Sequence, residues 1–435
     1  MSTNNPTPAV KPEPRKLLVT GLYSPGSGLT NVVSVLMREL RGQFSLQGLG
    51  FQPGIIRRHD DVEVSGCPMH VQSSSLSVFM SDPAWLETYM KNSRPEGVIV
   101  TGPAFLTTPF LRQLQKYRPH VKILLYLPVE GELVNEDIHK TLDLVDACIL
   151  YTEYSRKNVA EICSRAAQNE DVFRMPRLYV AGHGVDSSDF FPLRGNSQEL
   201  FFDESRAAAK RLLFSDKPEL HNAFIVLNAN CGYLRKRLDL TIAGFAEFAA
   251  SRPDSYLYLH TGRTSDKQLA ELRTHIDNSG VGERILLNAL NPDMSRLSIE
   301  KLNLLYNTCD VGLTTAMGEG WGLVSFEHAA TGAPQIVPGH TSFTENWSGA
   351  AEMLPVTGRQ HIFYEFADMF TVSPGDVARG LERLYSDHKY RREMAHAAYR
   401  RSQEPRFKWP AIGRNFKDLL DEVIAKPAFH TAIEI

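Results

Sequence analysis

Two glutamates with seven residues between them, Glu319 and Glu327, stand in a stretch that also holds three interleaved glycines. An apolar run at 310–315 precedes this stretch and predicts a buried parallel strand. The Ala-rich segment behind it ends at Gly332, with Pro334 beyond, which is typical of the end of a helix. The order is strand, Gly-rich turn, helix, with Glu319 in the turn and Glu327 inside the helix. Such a helix start, with its free backbone N–H groups and nearby carboxylates, holds anionic or hydroxyl-rich ligands.

A second candidate site is the run Arg235-Lys236-Arg237, which follows an apolar strand pattern at 224–228. Three cations at the start of a predicted helix are repelled by the positive end of the helix dipole, and a bound polyanion would remove that conflict. Lys236 suits a diphosphate as a point charge, and Arg235 could bond two phosphate oxygens at once. A solvated basic turn is the alternative interpretation of the same run.

Together, the acidic turn and the basic run predict a nucleotide-sugar site. Cations stabilise a leaving diphosphate, Gly-rich turns let the backbone approach it, and carboxylates bind sugar or ribose hydroxyls. Trp321 either walls the sugar pocket or packs in a core. His183 and His260 each lie at a strand end and carry weaker signals for catalysis. Glu327 could instead only stabilise its helix start, by about 0.3–1 kcal/mol.

The elements that must position these residues alternate along most of the 435-residue chain. Predicted strands lie at 17–21, 97–100, 122–126, 147–151, 177–180, 224–228, 255–260, 285–287 and 311–314, with helical patterns between them, including one at 110–117. Strands that alternate with helices indicate βαβ units and a mainly parallel sheet. The fold class predicted is α/β, with two Rossmann-like, doubly wound parallel-sheet domains that face a central cleft. Ligands of such sheets bind at the carboxyl ends of the strands.

The predicted division of the chain has five parts. These are a disordered tail at 1–15, an N-terminal acceptor-side domain at 16–192, a connector at 193–222, a C-terminal nucleotide-sugar-binding domain at 223–405, and a helix at 406–435 that crosses back to the first domain. A chain of this length is too long for one ordinary core, which also favours two domains.

The composition, 43% hydrophobic and 22% charged, is that of a soluble globular protein. A net charge of −3, with neither half strongly cationic, argues against nucleic acid as a partner, while a weak peripheral contact with a membrane stays open. Neither a signal-peptide pattern nor a membrane-spanning run is present. The five cysteines are scattered and form no CxxC pair, so we expect reduced thiols and a cytoplasmic location.

Residues 228–245 and 310–334 resemble the GT-B glycosyltransferases of family 4, a retaining class, and the match covers most of residues 16–425. Its most specific part is the Glu319…Glu327 pair. Residues 182–192 are similar to the family's "hGVD..xF.P" segment, and residues 235–239 to its "RKR-D" segment. The resemblance implies a hexosyltransferase-type enzyme of the GT-B fold that uses a nucleotide-diphosphate sugar.

The resemblance also implies roles for single residues. Glu319 would bond the donor sugar near the reacting carbon, Glu327 the ribose hydroxyls, and Lys236 the diphosphate. Other donor contacts would come from the backbone N–H groups of Gly322, Leu323 and Val324, and, on the opposite wall, from Gly26 and Gly28. Transfer would need no metal and no cofactor besides the UDP- or GDP-linked co-substrate, and the acceptor would be a glycan, lipid, protein or small molecule.

Two positions depart from the family's pattern. The family usually has an Arg five positions before the diphosphate Lys, where this chain has Cys231, and Arg235 could substitute for it. Many relatives also have a His after the strand that ends here at Tyr126, whereas residues 127–132 contain none. Glu130 or Glu132 could orient the acceptor hydroxyl there, and a surface loop is an equal alternative.

The predicted catalytic set is Glu319, Lys236 and Glu130, with no metal. Two other classes of function stay open at this point. A phosphorylase would use inorganic phosphate in place of the nucleotide on the same architecture. A non-catalytic glycosyltransferase-like subunit would bind a nucleotide or a partner only, which Cys231 and the missing His keep open.

Overall fold

The structure, a computed structural model, describes residues 13–24, 27–52, 58–73, 83–169, 173–195, 202–262, 264–290 and 297–425. Its strands are β1 (Lys16–Leu22), β2 (Ser45–Gln52), β3 (Arg58–Val64), β4 (Cys67–Ser73), β5 (Gly97–Thr101), β6 (Lys122–Leu127), β7 (Glu132–Leu133), β8 (Ala147–Leu150), β9 (Arg177–Val180), β10 (Phe224–Asn228), β11 (Ser255–Leu259), β12 (Ile285–Leu287), β13 (Val311–Leu313), β14 (Gln335–Pro338), β15 (Glu352–Leu354), β16 (Gly358–Ile362) and β17 (Ala367–Thr371).

Helices connect these strands. They are α1 (Gly28–Leu40), α2 (Pro83–Ser93), α3 (Ala104–Leu114), α4 (His139–Leu142), α5 (Glu153–Asn169), α6 (Phe202–Leu213), α7 (Leu238–Ala249), α8 (Asp266–Asp277), α9 (Ile299–Thr308), α10 (Leu323–Ala329), α11 (Thr341–Trp347), α12 (Pro374–Ser386), α13 (His388–Gln403) and α14 (Trp409–Ala425). None of the described helices is long and apolar enough to cross a membrane.

The strands form two large sheets, one in each half of the chain. The first has the order β3-β4-β2-β1-β5-β6-β8-β9, in which only the β3–β4 hairpin is antiparallel. The second has the order β12-β11-β10-β13-β14-β15 and is parallel throughout. The predicted α/β class with two doubly wound sheets is therefore confirmed. Because β10 pairs with β13, the turns that follow these two strands come out side by side.

The central strands can be predicted from the sequence because they are buried on both faces and are therefore apolar. Every residue of β5 and of β10 is buried, and both strands are nearly continuous apolar runs. Helices on both faces of a parallel sheet produce this pattern. The cores of the two sheets are built on such strands.

Several elements differ from the sequence-based expectation. The strand β2 and the hairpin β3–β4 were not predicted, and β3 carries mostly polar residues at the edge of the sheet. The helix predicted at 110–117 begins earlier, at Ala104, and keeps Pro109 inside it before a 3-10 turn at Gln115–Tyr117. The tail predicted at 1–15 lies almost entirely outside the described residues.

A third, small sheet joins the two halves of the chain. Strand β7 comes from the first half and pairs in antiparallel fashion with β17, while β16 flanks β17 on its other side. A second link comes from Glu345, whose carboxylate accepts hydrogen bonds from the amides of Glu153 (3.1 Å) and Tyr154 (2.8 Å). A carboxylate at the start of a helix such as α5 is favourable. These links hold the two halves of the chain together.

The last helix returns to the first half of the chain. In α14, the Asn415 side chain donates to the carbonyl of Val180 (3.0 Å), and the Phe416 ring lies 5.0 Å from that of Tyr126 between centroids. In the segment predicted as a connector, α6 is tied to the second half through Lys210, whose Nζ lies 2.7 Å from Asp310. The exact domain boundaries stay a prediction.

Candidate active site

The acidic turn lies between β13 and α10. Gly322 caps the helix in the left-handed conformation, with a φ of 93° that favours glycine. The backbone carbonyl of Glu319 is fixed by Ser342, whose hydroxyl donates to it at 2.6 Å. The amides of Leu323 and Val324 open the helix, where N–H groups lack intrahelical acceptors. The turn therefore presents one carboxylate and a row of backbone donors.

The basic run sits in the neighbouring turn, after β10. It forms a 3-10 turn, Leu234–Lys236, and α7 begins only at Leu238, so the cations precede the helix instead of opening it. Arg237 adopts a left-handed conformation with a φ of 46° and points to Asp239, with Nη2 2.8 Å from Oδ2. The backbone carbonyl of Arg237 accepts a hydrogen bond from Thr315 Oγ1 (2.7 Å), which ties the two turns together.

The other two cations converge on Glu319. Arg235 Nη1 lies 2.7 Å from one carboxylate oxygen, and Lys236 Nζ binds the other. Arg235 Nη1 also donates to the carbonyl of Gly318 (2.5 Å). The side chains are largely buried, at 21% exposure for Arg235, 9% for Lys236 and 14% for Glu319. Burial alone would raise the pKa of Glu319, but the two cations outweigh it and bring that pKa down to about 2.

Glu130 reaches this cluster from the first sheet, just beyond β6. Its Oε2 lies 2.8 Å from Nε of Arg235, so the guanidinium lies between carboxylates from both halves of the chain. The backbone comes equally close, because a Cβ built on Gly318 would overlap the carbonyl oxygen of Glu130. Burial raises the pKa of Glu130 against the pull of Arg235. Glu132, the alternative from the sequence, pairs instead with Arg359 at 3.2 Å.

Glu365 is a member of this group that sequence reasoning missed. It ends the 3-10 turn Phe363–Glu365 between β16 and β17, and with Glu130 it lines a hollow of only about 10 Å³. Burial, and then the charge of Glu130, raise the pKa of Glu365 to about 7. The antiparallel pairing of β17 with β7 brings Glu365 to this place. No local sequence motif could therefore have identified the residue.

Glu327 lies in α10 on the far side of the acidic turn. The hydroxyl of Tyr306 donates to its Oε2 at 2.9 Å. Burial raises the pKa of Glu327 to about 7, although this hydrogen bond opposes the rise. The residue is therefore more than a surface charge at a helix start, since a specific partner holds it inside the protein.

The opposite wall begins at α1. Gly28 is the first residue of that helix and faces the acidic turn, because a Cβ built on it would lie 3.5 Å from Leu323 Cδ1. Gly26, the other predicted glycine of this loop, lies outside the described residues. Gly28 and Leu323 thus face each other between the two halves of the chain.

Trp321 packs in a buried aromatic cluster at the joint between the halves. Its ring is stacked on Phe326, with centroids 5.4 Å apart and an angle of 17°, and lies 5.4 Å from the ring of His183. His183 is 4% exposed, and neither ring nitrogen has a hydrogen-bond partner in the described part of the chain. Burial lowers the pKa of His183 to about 3, so the ring is neutral. The contacts of both residues are those of packing.

The remaining sequence candidates lie nearby with little sign of chemistry. Cys231, at the position where the family has Arg, is partly buried, and burial raises the pKa of its thiol. His260 follows β11, where burial lowers the pKa of its ring. The guanidinium of Arg235 is the cation that the structure places next to Lys236 on Glu319.

The geometry can hold a polyanion beside a hydroxyl-rich group. Arg235 and Lys236 meet the carboxylates of Glu319 and Glu130 near the carboxyl ends of adjacent parallel strands, and Glu365 lies close to them. The cations are paired with carboxylates in this structure, so an anionic ligand must exchange with Glu319 or Glu130. In an α/β sheet, this edge is where ligands bind.

Comparisons with known proteins establish the fold. No family model matches the chain, and neither does any curated protein. Among solved structures, sucrose-phosphate synthase from Thermosynechococcus elongatus superposes with a TM-score of 0.71 at 14% identity, over 94% of this chain and 99% of that chain. HepE from Anabaena, in complex with UDP and glucose, gives 0.69 at 13% identity, over 94% and 100%.

A third structure agrees with these two. The α,α-trehalose 6-phosphate synthase from Burkholderia multivorans gives a TM-score of 0.67 at 12% identity, over 95% of this chain and 97% of that chain. At such low sequence identity, the similarity of these structures to this chain shows a shared fold only. The chain therefore has the two-domain GT-B fold that its sequence predicts.

Proposed function

We propose that this protein is a glycosyltransferase that moves a sugar from a nucleotide-diphosphate sugar to the hydroxyl of an acceptor. The observation that carries the proposal is the meeting of Arg235 and Lys236 with Glu319 at the carboxyl ends of β10 and β13. A diphosphate needs the cations, and a sugar needs the carboxylate. The fold is shared with sucrose-phosphate synthase, with α,α-trehalose 6-phosphate synthase and with HepE, the last in complex with UDP and glucose, which supports the same reaction class.

The donor would bind by exchange of partners within the cluster. Its diphosphate takes the place of the Glu319 carboxylate on Lys236 and Arg235, which frees Glu319 to accept hydrogen bonds from the sugar. The amides of Leu323 and Val324 face the sugar and phosphates. Charges aimed at the leaving diphosphate stabilise it most where water is excluded. When the bond between the sugar and the diphosphate breaks, the electron pair leaves with the nucleotide diphosphate. The acceptor oxygen bonds to the sugar carbon, and the proton of its hydroxyl passes to the departing phosphate oxygen.

The rest of the nucleotide and the acceptor would lie on either side of this centre. Glu327 accepts the ribose hydroxyls, Gly28 approaches the phosphates from the first domain, and Glu130 orients the acceptor hydroxyl. The hollow between Glu130 and Glu365 holds about 10 Å³, so the domains must part to admit substrates and close again for transfer. The contact of Glu345 with the amides of Glu153 and Tyr154 would then break and re-form.

The finer features of this proposal come from the sequence motifs. The Glu319…Glu327 pair and the residues 235–239 support a retaining, hexosyltransferase-type enzyme of family 4. We propose that it needs no metal and uses a UDP- or GDP-linked sugar, of which UDP gains support from the HepE complex with UDP and glucose. The division into an acceptor-side domain at 16–192 and a donor domain at 223–405 belongs to the same proposal.

A thermal-shift panel tests the donor assignment first. The wild-type chain is heated with UDP, GDP and ADP, with their glucose and mannose conjugates, and with inorganic phosphate. A ligand at 100 times its Kd adds about 2.7 kcal/mol to the free energy of unfolding. We expect one nucleotide and its sugar conjugate to stabilise the protein. Stabilisation by phosphate alone would point to a phosphorylase.

Activity tests the catalytic assignment. Glu319→Ala should abolish transfer from the identified donor while the far-UV circular dichroism spectrum stays that of the wild type. Glu393→Ala removes a carboxylate of the same kind from an exposed ion pair on α13 and serves as the control. Near-normal turnover by Glu319→Ala would refute the assignment. Donor binding without any transfer or hydrolysis by the wild type would indicate a non-catalytic subunit.

A further inference from the structure

Four exposed apolar side chains belong to the segments that line the hollow beside Glu130, through the sequence neighbours Ala104 and Leu133 and through Tyr364 itself. They are Phe105 (39% exposed), Val134 (36%), Phe363 (73%) and Tyr364 (57%), called here the apolar rim. The rings of Phe105 and Tyr364 touch edge to face, with centroids 5.5 Å apart, and the amide of Val134 donates to the carbonyl of Phe366 at 3.0 Å. Exposed apolar groups gathered at one place mark a binding surface more often than single ones do.

Both domains contribute to the apolar rim. Phe105 belongs to α3 and Val134 follows β7 in the first domain, whereas Phe363 and Tyr364 come from the 3-10 turn in the second. Of the rim residues, Tyr364 lines the hollow together with Glu130 and Glu365, and the ring of Phe105 contacts that of Tyr364. A molecule held on the rim would therefore reach towards the carboxylates at the centre of the cleft.

The charges under the rim do not suit an anion. Arg235 and Lys236 are paired with Glu130 and Glu319, and Arg359 with Glu132 and Asp368.

Glu365 adds a further carboxyl, which has no ion pair among the described residues. The proposed donor already claims Arg235 and Lys236 for its diphosphate. A second phosphate, on an acceptor, would face Glu365, while the cations described here, Arg235, Lys236 and Arg359, are already paired with carboxylates.

We propose that the apolar rim and Glu365 form the acceptor subsite, and that the acceptor is an uncharged, hydroxyl-bearing ring compound with an apolar face, not a phosphorylated sugar. This inference rests on the proposed function. The rings of Phe105 and Tyr364 offer flat apolar surface to the C–H face of the acceptor ring. The Glu365 carboxyl, like Glu130, bonds its hydroxyls. A sugar ring that bears an aryl group is the simplest probe with these properties.

Binding in the presence of UDP tests the proposal without turnover. The full chain, saturated with UDP, is titrated calorimetrically with the 4-nitrophenyl glycosides of glucose, galactose and mannose, and with glucose 6-phosphate. We expect at least one aryl glycoside to bind at least tenfold more tightly than glucose 6-phosphate. Tyr364→Ala and Phe105→Ala should each weaken that binding about tenfold. Leu212→Ala, at an exposed apolar position on α6, should not.

A charge variant separates a substrate contact from a packing role. Glu365→Lys should strengthen the binding of glucose 6-phosphate at least tenfold and reduce the preference for the aryl glycoside over glucose 6-phosphate. Substitution of a merely structural residue would not change this preference. Equal or tighter binding of glucose 6-phosphate by the wild type would overturn the proposal. So would aryl glycosides that bind nowhere, or that bind Tyr364→Ala and Phe105→Ala as well as the wild type. Failure of UDP to bind the wild type would count against the proposed donor site instead.

Discussion

Arg235 and Glu130 meet across the cleft, with Nε of the guanidinium 2.8 Å from Oε2 of the carboxylate. The same guanidinium binds Glu319, the proposed sugar-binding group, at 2.7 Å. One cation thus holds together a carboxylate from each domain. The same ion pairs keep the cleft closed and occupy Arg235, which is proposed to bind the phosphates. Donor binding and domain opening must therefore be coupled.

Removal of the Glu130 charge should release Arg235 for the donor. We expect Glu130→Gln to tighten UDP binding by about 1 kcal/mol, roughly fivefold, because the competing ion pair is lost. Sugar transfer should fall at the same time, since the acceptor-side carboxylate is gone. Isothermal titration of UDP measures the first effect. Glu132→Gln, which removes a neighbouring carboxylate paired with Arg359, is the control, and an unchanged or weaker UDP affinity in Glu130→Gln would contradict the coupling.

The adjacent cations Lys236 and Arg237 should differ sharply in their contribution to UDP binding. Lys236 binds Glu319 at the centre of the site, whereas Arg237 points away to Asp239. Lys236→Ala should weaken UDP binding by about 2 kcal/mol, roughly 30-fold, which is the contribution of a charged hydrogen bond. Arg237→Ala should change it less than threefold. Similar losses in both variants would mean that only the general positive charge of the segment matters.

Donor affinity should depend on pH through Glu327. Its pKa is raised by burial to about 7, so the carboxyl is increasingly protonated below neutral pH and can no longer accept both ribose hydroxyls. The Kd of UDP-glucose, whose phosphates do not titrate in this range, should rise up to about tenfold for each pH unit below 7 and stay flat above it. Titrations between pH 6 and 8 measure this. In Glu327→Gln the dependence should disappear and the affinity should be low throughout.

His183 should make the folded protein sensitive to acid. Its pKa is lowered by burial from 6.5 to about 3 in the folded state, while the unfolded state takes up a proton below 6.5. The free energy of unfolding should therefore fall, as pH drops below 6.5, by about 1.4 kcal/mol per unit from this residue alone.

His183→Phe keeps an aromatic ring in the cluster and should remove that part of the slope. Urea unfolding at pH 7, 6 and 5 compares it with the wild type. His275→Phe, at an exposed position on α8, serves as the control for the effect of the substitution itself. If His183→Phe keeps the wild-type slope, the ring is protonated without cost in the folded protein.

Much of the donor side could be predicted from sequence, because the relevant signals are local. Continuous apolar runs such as those of β10 and β13 predict parallel strands that are buried on both faces. In such a sheet the ends of paired strands lie together, so the turn with Lys236 and the turn with Glu319 had to be neighbours. The glycine at 322, with its left-handed conformation, marks the turn itself.

The acceptor side could not be predicted in the same way, because its contacts are made over long distances in the chain. Glu130 meets Arg235, and Glu365 joins them, only because the two-residue strand β7 pairs with β17 of the other domain. A strand of that length has no period to recognise. The polar edge strand β3 could not be predicted for a related reason. Its sequence is typical of a loop, and only its pairing with β4 shows that it is a strand.

The pairing of β7 with β17 also matters for any attempt to cut the protein into pieces. A fragment that held only the second domain would leave the N–H and C=O groups of β17 without a neighbour on one side, along a strand whose Ala367 and Met369 are buried in the whole chain. An open strand edge of that kind recruits other chains. Such a fragment should associate with itself unless it also carries residues 128–134 to cover this edge. The short strand β7 thus protects β17 against aggregation.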